Sequence, residues 1–229
     1  MRVDLNCDLG ELDDAVLEAA LMAQIRSANI ACGGHAGDAA GMERTVRLAL
    51  AHGVRIGAHP GYPDRANFGR LEMAMPAEEL ADTVYRQILR LEAAAMPAGG
   101  EVVHVKPHGA LYLAAARDRA VARALGDGVA RWNPRAAVFG LAGSPALEVW
   151  RAMGLTPVAE GFADRRYEPD GTLRSRSLPG ALIADPGAAA AQAVRLAREG
   201  KAQTICVHAD TPRAVEILKA CREALLYEA

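Results

Sequence analysis

The chain has 229 residues, 51% of them hydrophobic and 24% charged, with a formal net charge of −2. This is ample material for a core, and near-neutral charge argues against nucleic acid or an anionic membrane surface as the main partner. Aromatics make up only 4%, which disfavours a base-stacking surface, and no run of 18 apolar residues offers a membrane span.

The first predicted strand is Val3–Leu5, reached with no basic, long-apolar leader, so a cytoplasmic protein is expected. Further short β-type runs fall at Ala28–Ile30, Arg55–Ala58, Val102–Val105, Ala137–Leu141, Pro157–Glu160 and Thr204–Val207. Helical patterns lie between them. Leu17, Leu21 and Ile25 repeat every four residues, and Met42, Val46 and Ala49 form a stripe. Leu80, Val84, Ile88, Leu91 and Ala95 form the longest stripe, opened by Pro76 with Glu78 and Glu79 in the first turn. Ser144, Asp185-Pro186 and Thr211-Pro212 read as helix starts. Seven strand–helix units in alternation imply a parallel α/β sheet. With no G-x-G-x-x-G after the first strand, a closed seven-stranded (β/α) TIM-like barrel is expected, as one domain over residues 1–229. A long segment near 161–184, with Asp170-Gly171 inside it, is expected to form a hairpin-like insertion. Cys7, Cys32, Cys206 and Cys221 form no close pair and read as reduced core thiols.

Polar residues gather at strand ends. His104, Lys106 and His108 follow Val102 and Val103 at spacing two, which puts all three side chains on one face of an extended chain. His35, His59 and His208 also lie at or beyond strand C-termini, whereas His52 ends a helix. Asp4, Asn6 and Asp8 lie on the first strand and Asn29 on the second. In a parallel barrel all strand C-termini open on one face, where the chemistry is done. Each group has a plainer reading. The acidic and amide residues also suit Asx turns, His35 suits a glycine loop, and His59-Pro60-Gly61 suits a turn. His208 and Asp210 suit a tautomer-fixing pair, and Arg165-Arg166 either surface charge or anion binding. Lys106 is hardest to dismiss, because an unpaired buried charge costs several kcal/mol.

The motifs Asp4-Leu5-Asn6-Cys7-Asp8-Leu9-Gly10-Glu11, Ser27 to Asp38, Ile56 to Asp64, His104 to Tyr112, Glu160 to Tyr167 and Ile205 to His208 resemble the LamB/YcsF family. That family comprises the A subunits of the bacterial ATP-hydrolysing 5-oxoprolinases. The resemblance runs from near residue 3 to near residue 212. It implies a barrel similar to the glycoside hydrolase/deacetylase barrels. It also implies cleavage of 5-oxo-L-proline to L-glutamate with hydrolysis of ATP to ADP and phosphate, in complex with subunits B and C. Two positions depart from the family pattern. The segment after Gly10 is shorter than usual, and Ala209 stands where glycine is common.

An unstrained lactam resists water, so ATP use suggests that its oxygen is phosphorylated first. Such a site needs cations, a base and a proton donor. The catalytic candidates are Asp8, His59, Lys106 and His108: Lys106 for phosphate or oxyanion, Asp8 or His59 as base, His108 as donor or metal ligand. Asn6, Asn29, His35, His104, Arg165 and His208 are candidates for binding substrate, with Arg165 on its carboxylate. ATP is expected as co-substrate, with Mg. No G-x-x-x-x-G-K-[ST] occurs, so nucleotide binds by another mode or mainly on one of the partner proteins. The alternative is a metal-dependent amidase or deacetylase acting on a small amide or sugar, with Asp8, His35 and His59 holding a divalent ion.

Overall fold

The computed structural model describes residues 3–226. Seven strands close into a parallel barrel in sequence order: β1 (Asp4–Leu9), β2 (Ser27–Ala31), β3 (Arg55–His59), β4 (Val102–Val105), β5 (Ala137–Leu141), β6 (Thr156–Phe162) and β7 (Thr204–Cys206). Closure is set by β7 on β1, with Asp4 opposite Thr204 and Asn6 opposite Cys206. Outside lie α1 (Ala15–Met22), α2 (Ala39–His52), α3 (Ala77–Ala95), α4 (Gly109–Arg117), α5 (Arg119–Trp132), α6 (Pro145–Ala152), α7 (Pro186–Arg198) and α8 (Ala214–Leu226). Among the described residues, no helix is long and apolar enough to cross a membrane.

The helix starts follow local chemistry. Asp38 accepts from Gly41 N, and Asp185 from Ala188 N, each satisfying an end amide of its helix. Two expected starts differ. Ser144 precedes α6, but its hydroxyl makes no capping bond. Thr211 does not open α8, which begins at Ala214; its hydroxyl donates instead to Asp164 at 2.6 Å. The one-helix rhythm also breaks after β4. Asp118 leaves helical geometry, ends α4 and caps α5, so two helices fill that crossover. Beyond β6, antiparallel bridges join Arg165 to Leu182 and Tyr167 to Leu173, with Gly171 at φ 86 near the turn. Ala209 is not among the positive-φ residues, so its turn carries no strain from the missing glycine. All four cysteines are free and buried.

The barrel interior is polar rather than filled with the branched apolar layers common in closed parallel barrels. Asp4, Asn6 and Asp8 alternate inward along β1 and meet Ser27, Asn29, Lys106, Glu160 and Thr204, while His104 joins through Asn29. The apolar core instead lies between strands and helices, where Ile30, Val46, Ile56, Ile88 and Leu91 are fully or nearly fully buried.

One close approach between helices depends on a glycine. A methyl added at Gly128 of α5 would collide with the Ala81 carbonyl oxygen of α3, a backbone atom that cannot rotate away. Helix propensity alone favours alanine over glycine by about 1 kcal/mol. Gly128→Ala is nevertheless expected to destabilise by about 1–3 kcal/mol. A lower midpoint in chemical denaturation checks this, and a raised midpoint would refute it.

Candidate active site

At the C-terminal mouth lies a cavity of about 520 Å³, lined among others by Asp8, Glu11, His59, Lys106, His108 and Arg165. Its floor is an ion-paired lysine. Lys106 Nζ lies 2.7 Å from Asp8 Oδ1, 3.1 Å from Glu160 Oε1 and 3.0 Å from Cys206 Sγ. The Phe162 ring is 5.5 Å from the same nitrogen. Burial works against the ammonium, yet the Asp8 and Glu160 carboxylates outweigh it and hold the lysine pKa well above its ordinary value. Burial likewise opposes the Asp8 carboxylate, but His59 and Lys106 hold its pKa well below the usual range.

Beside this pair stands a cluster of three imidazoles around Glu11. Glu11 Oε1 is 2.9 Å from His35 Nε2, 3.0 Å from His108 Nδ1 and 3.5 Å from His59 Nε2. His59 comes from the last position of β3, His108 from the residue before α4, and His35 from the glycine loop after β2. His35 and His108 stack in parallel at 3.6 Å. Two glycines make room for the stack. A methyl at Gly61 would stand 2.8 Å from His35 Nδ1, and one at Gly69 2.7 Å from His35 Cβ. Phe68, in left-handed backbone at φ 56, turns its carbonyl to His108 Nε2 at 2.9 Å.

The imidazoles differ in basicity. Burial lowers His35 to about 4 and also lowers His108, against the pull of Glu11. Burial opposes charge on His59 too, but Asp8 and Glu11 outweigh it and raise its pKa. Glu11 is held down despite burial by its bonds to His108 and His35.

Asp8, His59, Lys106 and His108 thus converge, and Arg165 and His208 line the same cavity. His35 stands behind His108, outside the lining. Asn6, Asn29 and His104 lie one layer lower and do not reach the cavity. Asn29 donates to Asn6 Oδ1 and Asp8 Oδ1, both at 2.8 Å, and Asn6 donates to Glu160 at 3.0 Å. His104 does not leave the strand end with Lys106 and His108. It points inward, as spacing two requires, but one repeat deeper. There it stacks on Phe139 at 4.3 Å, bonds Asn29 Oδ1 at 2.9 Å and borders a cavity at the opposite end of the barrel. Burial lowers its pKa to about 3. Among the described residues, donor atoms converge in two groups, Glu11, His35, His59 and His108 in one and Asp8, Cys206 and His208 in the other. Asp8 therefore stands apart from the imidazole group and not with His35 and His59 as one set, although its Oδ2 lies 3.4 Å from His59 Nε2.

Several residues escape sequence reasoning. Glu11 carries the signal of being the first charged group past β1, and Glu160 that of being a carboxylate inside a strand. Asp164, not Asp210, fixes His208, with Oδ2 3.0 Å from Nδ1; Asp210 pairs with Arg70 and Arg176. Arg165 donates to the Arg174 carbonyl at 2.7 Å, while its buried Nε has no hydrogen-bond partner among the described residues. Arg166 turns away and bonds the Gly180 carbonyl.

A LamB/YcsF family profile matches residues 3–229. The chain belongs to the LamB/YcsF family. Proteins named as the A subunit of 5-oxoprolinase, from Heliobacterium modesticaldum and Pyrococcus furiosus, are each 45% identical to it, over 98% of this chain and 94% of theirs. The crystal structure of a lactam utilization protein from Thermus thermophilus superposes with a TM-score of 0.91 at 42% identity, covering 100% of this chain and 97% of that one. In this LamB/YcsF protein every motif but Ser27 to Asp38 supplies residues to the lining of the mouth cavity.

Asp164 gives a test of the mouth's architecture. It is fully buried and accepts from His208 N, His208 Nδ1 and Thr211 Oγ1. Burial opposes its charge, but His208 and these bonds lower its pKa below the ordinary 3.8. A lowered folded pKa means stabilisation that is present above the unfolded value and lost as pH falls through the folded one. Asp164→Asn is expected to cost about 2–4 kcal/mol at neutral pH. The gap in melting temperature between wild type and variant should narrow below about pH 4. A gap that widens on acidification would contradict this.

Proposed function

We propose that this chain is the A subunit of an ATP-dependent 5-oxoprolinase, acting with subunits B and C to open 5-oxo-L-proline to L-glutamate. The carrying observation is the charged floor of the mouth, Lys106 held between Asp8 and Glu160, in a chain closely similar to proteins of that name. The lactam oxygen takes the γ-phosphoryl group of ATP, forming an O–P bond as the bond to ADP breaks. Water then adds to the activated carbon, and the C–N bond breaks as the nitrogen takes a proton. The glutamyl phosphate so formed takes up a second water and releases phosphate and glutamate.

Lys106 stabilises the oxygen that becomes phosphorylated and, later, the oxyanion. Its ion pairs keep it charged at every working pH. Arg165, which lines the cavity, receives the substrate carboxylate through its guanidinium. Asp8, His59 and His108 face the attacking water and the departing nitrogen. ATP binds with Mg, and the lack of a phosphate-loop motif is consistent with nucleotide held largely by one of the partner proteins.

The test uses the reconstituted three-protein complex with 5-oxoproline and ATP, measuring ADP and glutamate. Lys106→Met is expected to lower lactam-dependent ADP release at least about 100-fold. Circular dichroism of the variant checks that the fold survives loss of the buried charge. Turnover near the wild-type level would refute the assignment. Arg165→Gln is expected to raise KM for 5-oxoproline by about tenfold or more, with a smaller change in kcat. A changed kcat with unchanged KM would remove Arg165 from substrate binding. Amide hydrolysis by the chain alone, without ATP, would favour the metal-dependent amidase instead.

A further inference from the structure

Hydrogen bonds at the mouth fix the tautomers of two histidines. His59 Nδ1 lies 2.7 Å from the Lys106 carbonyl oxygen, and His108 Nε2 lies 2.9 Å from that of Phe68. A carbonyl only accepts, so each of these nitrogens carries the proton. In the neutral rings, His59 Nε2 and His108 Nδ1 are then both lone pairs. They face each other at 3.0 Å. Glu11 Oε1 joins them, 3.0 Å from His108 Nδ1 and 3.5 Å from His59 Nε2. Asp8 Oδ2 adds a fourth acceptor 3.4 Å from His59 Nε2. Acceptors so close with no hydrogen between them repel unless something positive stands among them.

The spacing suits a metal ion. Nitrogen and oxygen ligands about 2.0–2.2 Å from one tetrahedral ion lie about 3.3–3.6 Å apart. The three edges of 3.0, 3.0 and 3.5 Å fall near that range. A metal-ligating histidine also commonly donates its other N–H to a backbone carbonyl, as both rings do here. Charge points the same way. Lys106 pairs with Asp8 and with Glu160, and no ion pair with Glu11 is among those of Lys106 in the described residues. Among the described residues, the ion-pair partners of Glu11 are all imidazoles.

We propose that His59 Nε2, His108 Nδ1 and Glu11 Oε1 bind one divalent transition-metal ion of the zinc or cobalt class, with Asp8 alongside. His35 is a positioning residue: its Nε2–H holds Glu11, and its ring is fixed against His108. Glu11, His59, His108 and Asp8 all line the cavity, so an ion held by them is within reach of water and substrate. The imidazole and carboxylate donors suit zinc, cobalt or manganese better than they suit the magnesium that accompanies a nucleotide. The role of the ion, lowering the pKa of a bound water to form the nucleophile, rests on the lactam-opening reading. The site itself does not.

The experiment uses the full-length chain alone, stripped with chelator and titrated with Co²⁺ and with Zn²⁺. Visible absorption of bound cobalt and calorimetry of zinc are the readouts. One equivalent per chain is expected, with binding weakened at least about 100-fold in Glu11→Gln and His108→Ala, and about 10–100-fold in His35→Ala. His52→Ala, at an exposed helix end, should bind as wild type. Circular dichroism establishes folding of each variant, and Glu11→Gln is close enough in shape to keep the test meaningful should His108→Ala unfold. Absence of stoichiometric binding overturns the proposal and leaves a proton as the bridging charge. So does binding that Glu11→Gln leaves unchanged. Neither readout depends on ATP or lactam, so the site and the enzymatic reading fail separately.

Discussion

Lys106 places its ammonium nitrogen 2.7 Å from Asp8 inside a barrel whose strands are wrapped by helices. Removing two charges from water costs several kcal/mol per ion, which their attraction repays only with good geometry and further hydrogen bonds. Those bonds run through the barrel interior, with Phe139 and Phe162 packed beside them. Asn29 donates to Asp8, Asn6 donates to Glu160 and Thr204, and Thr204 donates to Asp4. Asp4 in turn accepts from Ser27. The usual apolar layers of a closed parallel barrel are here replaced by a polar column, and its upper end is the mouth.

That column explains why residues below the mouth matter to residues in it. Asn6, Asn29 and His104 do not line the cavity, but they settle where the Asp8 and Glu160 oxygens point. Lys106 receives its orientation from this layer. The imidazole cluster has a separate support. The segment after β3 is tied to the start of α4 by His108 N on the Pro60 carbonyl and Ala110 N on the Gly69 carbonyl. Phe68, between them, supplies the acceptor that sets the His108 tautomer.

Much of this arrangement is written in short-range patterns. Apolar strand cores, prolines and acidic caps announce the seven strand–helix units, and family motifs point to the mouth. What is not written locally depends on depth and on partners far along the chain. Spacing two says that His104, Lys106 and His108 share a face, but not that one repeat of strand separates His104 from the rim. Glu11 acquires its place from imidazoles contributed by three other segments, and nothing in its immediate neighbours reveals them. Asp164 stands next to two arginines in sequence, yet its partners are His208 and Thr211. The break between α4 and α5 turns on Asp118 alone, in a stretch with no glycine or proline near the break.

Gly61 and Gly69 carry a consequence for engineering. The stacked rings of His35 and His108 fit because the opposing wall has no side-chain carbon at either position. The hollow that receives them is shaped by atoms withheld rather than by groups supplied. Anyone transplanting this constellation into another (β/α) scaffold would therefore have to carry over two hydrogens on a facing loop along with the conspicuous polar side chains. A graft of the imidazoles and Glu11 alone would arrive with nowhere for the rings to go.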